Sequence, residues 1–270
     1  MRCIFCLHGH HKVEHKVLDY ETFCRIIDEG ESYGLCSIKL NYINEPLLVK
    51  DLERYVAYAR SRGVLNVYFA ANGTLLTPSR SRSLIDAGVT RIMVSLDAFS
   101  AETFEEVRRS KRYDKIVENI HGLISIRDSL NRRNPLVRVN FLRTEQNQHE
   151  ADDFLAYWES RVDMIGYQTL VNVPGISFSA EGATEAPEGF RCSFPFKLMV
   201  VDSAGDILPC CTFSGRSMPM GNVANMTVKQ AWDSVKMTAL RRTHKMGGYK
   251  SNPICAACVA SGGGENVKSK

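Results

Sequence analysis

From about residue 17 to residue 170 the chain alternates segments of helical period with segments of strand period, and this limits the fold more than any other feature. When strand, helix and strand follow one another, the two strands lie parallel and are joined by a right-handed crossover. A helix is predicted from Asp19, an N-cap residue, with Phe23, Ile26 and Ile27 on one face. SIKLNYI (residues 37–43) has strand composition. In DLERYVAYARSRG, Leu52, Tyr55, Val56 and Ala59 recur at i, i+3, i+4 and i+7, and Gly63 ends the helix. NVYFAANG reads as a strand and a turn, and PSRSRSLIDAG as a helix that starts at Pro78 and stops at Gly88. RIMVSLD is a strand, and SAETFEEVRRS is a helix capped by Ser100 with acids in its first turn. Residues 113–131 form another helix, carrying Ile116, Ile120, Leu123 and Ile124. LVRVNFL, HEADDFLAYWES and DMIGYQTL then read as strand, helix and strand.

Five parallel strands separated by helices suit either an open doubly wound sheet or a barrel. No G-x-G-x-x-G or phosphate-loop pattern follows any strand, which weakens the nucleotide-binding sheet. In a barrel, the active site is built where strands end. The polar residues at those ends are Glu45, Asn72, Ser95, Asp97 and Gln168.

The pattern changes after residues 174–189, a Gly-, Pro-, Ala- and Ser-rich stretch without period that reads as a linker. FKLMVVDSAGDILPCC then reads as a hairpin turning at residues 203–205. A helix follows from Thr227, with Thr227 and Gln230 as a capping box and Val228, Ala231, Trp232, Val235 and Ala239 as its apolar stripe. The 270 residues are 44% apolar, enough for a core. The net charge is only +4 and the basic residues are scattered, so no nucleic-acid stripe exists. No apolar run is long enough to span a bilayer, and the N-terminus lacks the apolar core of a signal peptide. The expected location is cytoplasmic, with neither nucleic acid nor membrane as a partner.

Nine cysteines without a secretion signal argue against a disulfide framework. Cys192, Cys210, Cys255 and Cys258 offer four thiolates closed by a C-x-x-C, which suits zinc or a 4Fe–4S cluster. A core of buried thiols is the plainer alternative. Cys211, Cys24 and Cys36 are expected to be packed, structural thiols. Cys3 and Cys6 form a second C-x-x-C at the very start, followed by His8, His10 and His11, which could complete a zinc site.

The order of these features resembles the radical SAM superfamily. Cys3-Ile-Phe-Cys6 matches the end of its C-x3-C-x-Φ-C loop. NEPLL, ANG and VSLD match the turns after its following strands. The resemblance implies a partial (β/α)6 TIM-like barrel over residues 1–173, truncated at the N-terminus. The first strand and first cluster cysteine would then lie before Met1. It assigns Cys3 and Cys6 to a 4Fe–4S cluster whose free iron is chelated by S-adenosylmethionine (SAM). Glu45 would receive the SAM amino group, with Asn44 replacing the usual Gly before it. Asn72 would form the family's T-N-G turn, with Ala71 in place of Thr. Ser95 would bond the ribose region and Arg108 would clamp the SAM carboxylate, Arg109 being the competing choice.

Residues 190–262 resemble a SPASM/twitch auxiliary domain, in which Cys192, Cys210, Cys255 and Cys258 hold one auxiliary 4Fe–4S cluster; residues 263–270 are a tail. The resemblance implies an enzyme that makes a 5′-deoxyadenosyl radical, takes hydrogen from a small polar substrate of sugar or aminocyclitol type, and oxidises or otherwise modifies it. A flavodoxin or ferredoxin would supply the electron. A maturase acting on a ribosomal peptide and a non-catalytic iron–sulfur or zinc protein are the alternatives. No catalytic acid or base is singled out.

Overall fold

A computed structural model describes residues 3–6, 16–169 and 189–263. These residues fall into two compact units, one holding residues 3–6 and 23–169, the other residues 16–22 and 189–263. The linker and tail expected at 174–189 and 263–270 lie outside the described residues except for Gly189 and Gly263, as do His8, His10 and His11.

All but the first three residues of α1 (Tyr20–Glu31) belong to the first unit, and Asp19 Oδ1 caps the helix by accepting the Thr22 N–H at 2.8 Å. The strands are β1 (Ser37–Lys39), β2 (Asn66–Ala71), β3 (Arg91–Ser95), β4 (Leu136–Arg143) and β5 (Met164–Thr169). Between them run α2 (Leu52–Ser61), α3 (Pro78–Asp86), α4 (Ala101–Arg108), α5 (Tyr113–Ser129) and α6 (Ala151–Trp158). β1 is shorter than SIKLNYI because Asn41 turns its side chain into the ladder: Oδ1 accepts the Ala70 N–H at 2.9 Å, in place of a backbone carbonyl.

All the pairings are parallel, and the spatial order is β1-β2-β3-β4-β5, the order of the sequence. A doubly wound sheet must reverse its order at a switch point. Without a reversal, every right-handed crossover returns over the same face. This removes the doubly wound reading and leaves the wall of a TIM-like barrel.

The two faces of the sheet differ accordingly. Val67, Phe69, Ala71, Ile92, Val94, Val137, Val139 and Phe141 are buried with Val56, Leu84, Phe104, Ile116, Ile120 and Trp158 from the helices. Each large side chain so buried contributes about 1.5–3 kcal/mol. The residues between them in register form the opposite face, where Ala70, Met93 and Leu142 alternate with the polar Tyr68, Arg91, Ser95, Arg138, Asn140 and Gln168.

The second unit contains α7 (Phe194–Lys197), then an antiparallel sheet of β6 (Val200–Val201), β7 (Asp206–Leu208) and β8 (Gly221–Asn222). The expected hairpin turn is held by Asp202, whose Oδ1 accepts the N–H groups of Ala204 (2.9 Å) and Asp206 (3.0 Å), and by Gly205 at φ +84°. The third strand, β8, was not expected. The segment from Thr227 is two helices rather than one, α8 (Val228–Trp232) and α9 (Val235–Lys245). The Thr227–Gln230 capping box starts the first. Ser234 starts the second, its Oγ accepting the Met237 N–H at 3.2 Å. The break rotates the buried stripe onto Met237, Leu240 and His244 and leaves Val235 87% exposed. The unit ends in α10 (Pro253–Ala260). Cys24 is half-buried, while Cys36 and Cys211 are exposed rather than packed.

Candidate iron–sulfur and cofactor sites

At the strand ends of the first unit, Glu45 does two jobs. Its Oε1 accepts the Leu47 N–H at 3.1 Å, capping the short turn Pro46–Leu48, and its Oε2 accepts the Asn72 N–H at 2.7 Å. The turns after β1 and β2 are thus joined through one carboxylate. Burial pushes that carboxyl above its ordinary range, against the pull of the two N–H donors and the Arg108 charge. Asn72 Oδ1 accepts the Thr74 N–H and hydroxyl at 2.9 and 2.6 Å. The next residue must be glycine: Gly73 sits at φ +78°, and a Cβ there would lie 2.9 Å from both Ile116 Cγ2 and Val94 Cγ1.

The opening C-x-x-C is docked onto α4. The Ile4 N–H donates to Val107 O and the Cys6 N–H to Cys3 O, each at 3.0 Å, so the two thiols share one turn. Cys3 is buried, which raises its thiol pKa, while the neighbouring Arg108 charge lowers it and Cys6 and Asp97 raise it. Arg108 Nη1 pairs with Asp97 Oδ2 at 3.0 Å and its Nη2 donates to Ser95 O at 2.7 Å; the two side chains are only 7% and 3% exposed. The Arg108 fork faces Asp97 and the β3 terminus, and its Nε is buried without a hydrogen-bond partner among the described residues. The competing Arg109 is an exposed, left-handed cap of α4.

Asp97 is the hub of this region. It sits at φ +61°, its Oδ1 accepts the Leu142 N–H at 2.8 Å, and its carbonyl accepts from Asn147 Nδ2 at 2.8 Å. Burial pushes its carboxyl up, with Arg108 and the Leu142 N–H opposing. Nearby, Glu150 accepts from the N–H groups of Phe99 and Ser100 and the hydroxyls of Ser100 and Thr103. Asn147 was missed from sequence because it follows β4 in a loop without a periodic signal, and Glu150 because it reads as one more polar residue at the start of the next helix.

In the second unit, Cys192, Cys210, Cys255 and Cys258 are each no more than 9% exposed and line one pocket with Phe194, Met218, Leu240 and His244. Asn252 caps α10 by accepting the N–H groups of Ile254 and Cys255, which starts the helix that carries the last C-x-x-C. Burial, and then the sulfurs of Cys210, Cys258 and Cys192, push the Cys255 thiol up to about 12. Burial likewise raises Cys210, although Thr212 bonds oppose it. Four thiols crowded in a dry pocket ionise only when a metal supplies the compensating charge.

Four thiolates lining one pocket are a donor set that suits a 4Fe–4S cluster. The backbone is also cut back around two sulfurs: a Cβ at Gly215 would lie 2.8 Å from Cys210 Sγ, and one at Gly263 would lie 2.5 Å from Cys258 Sγ. His244, whose Nδ1 accepts the Cys192 N–H at 3.4 Å, was missed because one continuous helix from Thr227 gives the wrong phase.

Comparison with known proteins agrees with this geometry. Residues 1–127 match the radical SAM superfamily, and residues 192–259 match SPASM, an iron-sulfur cluster-binding domain. The chain is 30% identical over 153 residues to a probable GTP 3′,8-cyclase of Saccharolobus islandicus (strain M.14.25 / Kamchatka #1), covering 57% of this chain and 47% of the relative. It is 26% identical over 168 residues to the GTP 3′,8-cyclase of Thermodesulfovibrio yellowstonii, covering 60% and 50%. The chain thus spans about half the length of the curated relatives it matches.

Among solved structures, BtrN in complex with AdoMet and 2-DOIA aligns with a TM-score of 0.61 at 17% identity, covering 94% of this chain and 86% of that one. Streptococcus suis SuiB bound to precursor peptide SuiA aligns at 0.69 and 16%, covering 88% and 63%. At such identities the likeness shows a shared fold. Together, the sequence matches, the parallel barrel wall and the two cysteine sets identify this chain as a radical SAM protein with a C-terminal SPASM iron–sulfur domain, whose cofactors are SAM and 4Fe–4S clusters.

Proposed function

We propose that the protein forms a 5′-deoxyadenosyl radical and uses it to abstract hydrogen from a small polar substrate of sugar or aminocyclitol type, leading to its oxidation or a related modification. The supporting observation is the convergence of the Cys3–Cys6 turn, the Asp97–Arg108 pair and Ser95 in one place, together with the Glu45–Asn72 bridge at the ends of the preceding strands. When bound, the cluster and SAM supply reductive cleavage of the sulfonium, giving methionine and the radical; the protein's share is binding, orientation and exclusion of water.

Cys3 and Cys6 hold the cluster. Glu45, fixed by two N–H donors, receives the SAM amino group, and Asn72 shapes the turn beside it. Ser95 is placed for the ribose region. Arg108, its fork held by Asp97 and Ser95 O, is the fixed positive charge that pairs with the SAM carboxylate. Cys192, Cys210, Cys255 and Cys258 would hold the auxiliary cluster, which would supply an acceptor for the electron released when the substrate radical is oxidised. A flavodoxin- or ferredoxin-type donor would supply the separate electron needed for SAM cleavage.

The BtrN complex with 2-DOIA favours a small-molecule substrate. The SuiB complex with its precursor peptide favours a peptide, which stands as the second reading. The relatives named GTP 3′,8-cyclases bear on the outcome, since cyclisation is an alternative to net oxidation. To test the proposal, protein expressed from its genomic coding sequence would be reconstituted anaerobically and treated with SAM and dithionite. The expected products are 5′-deoxyadenosine and methionine. Their absence from a preparation that carries both clusters would refute the radical reading.

A further inference from the structure

Among the described residues, seven buried side-chain nitrogen or oxygen atoms lack a hydrogen-bond partner. Three of them, Arg91 Nε, Arg138 Nε and Asn140 Oδ1, belong to the polar face of the sheet in the first unit. A buried group without a partner costs stability, so three on one surface need an explanation.

Register brings the three together. Arg138 lies beside Met93, Asn140 beside Ser95 and Gly166, and Arg91 one same-face step below Met93. Gly166 leaves the space they need: a Cβ there would overlap the Arg138 guanidinium, at Nη2 and Nε, and Asn140 Oδ1. Arg138 and Asn140 therefore converge on one point. Asn140 is 5% exposed. The Arg91 guanidinium stacks 4.2 Å from the Tyr68 ring centroid, which orients it without neutralising it. Among the described residues, the paired positions of this face from β1 to β5 include no Asp or Glu, so no strand neighbour supplies a carboxylate to these charges. Two cations without a counter-charge among the described residues, beside the space that Gly166 leaves open, form a site built for an anion.

We propose that this face carries an oxyanion subsite for the substrate: the Arg138 guanidinium, with Arg91 behind it, binds a carboxylate or phosphate, while Asn140 Oδ1 accepts a hydrogen from a hydroxyl or amino group next to that anion. The substrate class is then a hydroxylated or aminated small acid, or a phosphorylated sugar, rather than a neutral one. This rests on the radical SAM reading only in calling the ligand a substrate.

The test measures binding of inorganic phosphate, glycolate and glycerol to the anaerobically reconstituted protein by calorimetry, with and without saturating SAM. Phosphate, glycolate or both should bind, and glycerol should not; which anion binds more tightly identifies the phosphate or the carboxylate source. Arg138→Met and Arg91→Met should each weaken anion binding at least tenfold, while Arg133→Met, at an exposed position, should leave it unchanged. Arg138→Met should also keep or raise the urea midpoint, because it removes an uncompensated cation; a merely structural arginine would lower it. The proposal falls if neither anion binds, if Arg138→Met binds as the parent does, if glycerol binds equally well, or if SAM displaces the anion. Anion binding without deoxyadenosine would keep the subsite and end the radical reading. Deoxyadenosine without anion binding would do the reverse.

Discussion

Replacing Asp97 with Asn tests whether the Asp97–Arg108 pair locks the cofactor end of the barrel wall. Asn tolerates the left-handed backbone that Asp97 adopts at φ +61°, so the turn itself is spared. An amide oxygen can still accept the Leu142 N–H. What is lost is the negative charge facing Arg108 Nη1 at 3.0 Å, and the amide then presents a donor to a donor. With both side chains at 7% exposure or less, the guanidinium is left buried and uncompensated. Breaking such a pair costs about 3–5 kcal/mol. With a urea slope of about 2–3 kcal/mol/M, the midpoint of the first unit should fall by about 1 M or more. Trp158 is buried in the first unit and Trp232 lies in the second, so fluorescence in a Trp232→Phe background reports the first unit alone. Burial already pushes the Asp97 carboxyl up, which marks the pair as costly to desolvate. The double variant Asp97→Asn/Arg108→Leu should therefore recover most of the loss. A change below about 0.5 kcal/mol for Asp97→Asn, the range of ordinary surface substitutions, would refute this reasoning.

Three other perturbations follow from the same structure. Glu150 is buried, which raises its pKa, but its bonds to Ser100, Phe99 and Thr103 outweigh this and leave the carboxyl below its ordinary range. Its contribution should be fully present above the unfolded value of about 4.3 and fade as pH falls through the lower folded value. The gap in urea midpoint between the parent and Glu150→Gln should accordingly shrink below that pH; a constant gap would count against it. Gly73→Ala combines a left-handed backbone with a Cβ 2.9 Å from Ile116 and Val94, and should cost about 2–5 kcal/mol in chemical denaturation. With the Cys255 thiol at about 12, loading the auxiliary site near pH 8 should release protons, seen with an indicator in weak buffer. Cys255→Ser should lose one cluster's worth of iron and sulfide, and iron uptake without proton release would show that the thiols were already ionised.

The chain's helix boundaries could be read locally, because caps act within three residues: Asp19, Ser100 and Thr227 each accept the N–H that their sequence context predicts. The choice between a doubly wound sheet and a barrel wall could not be read in this way. Both have the same alternation, and only the strand order separates them. The break at Ser234 was hidden for another reason. Val235 and Ala239 continue an acceptable apolar period, and the signal that restarts the helix is one serine hydroxyl. The residues of the polar face lay beyond local reach as well. Arg91, Arg138, Asn140 and Gly166 are scattered over some 75 positions and become neighbours only through parallel register.

Arg108 and Glu45 show why matching a motif fixes a position more firmly than a role. Both positions carry a charged group to the strand ends. Each charge is already engaged, however: Glu45 joins two turns through N–H bonds, and Arg108 is pinned between Asp97 and the end of β3. A charge held this way costs no reorganisation when a ligand arrives, and preorganisation of that kind favours binding and orientation. It also means that removing either charge perturbs the fold together with any cofactor affinity. Arg108→Lys keeps the charge but loses the two-pronged hold on Asp97 and Ser95 O, whereas Arg108→Leu with Asp97→Asn relieves the buried charge and removes the cation. If SAM affinity depends on the fixed positive charge, the double variant should fold normally and bind SAM at least tenfold more weakly in equilibrium dialysis. Unchanged affinity in that well-folded variant would make Arg108 a purely structural residue.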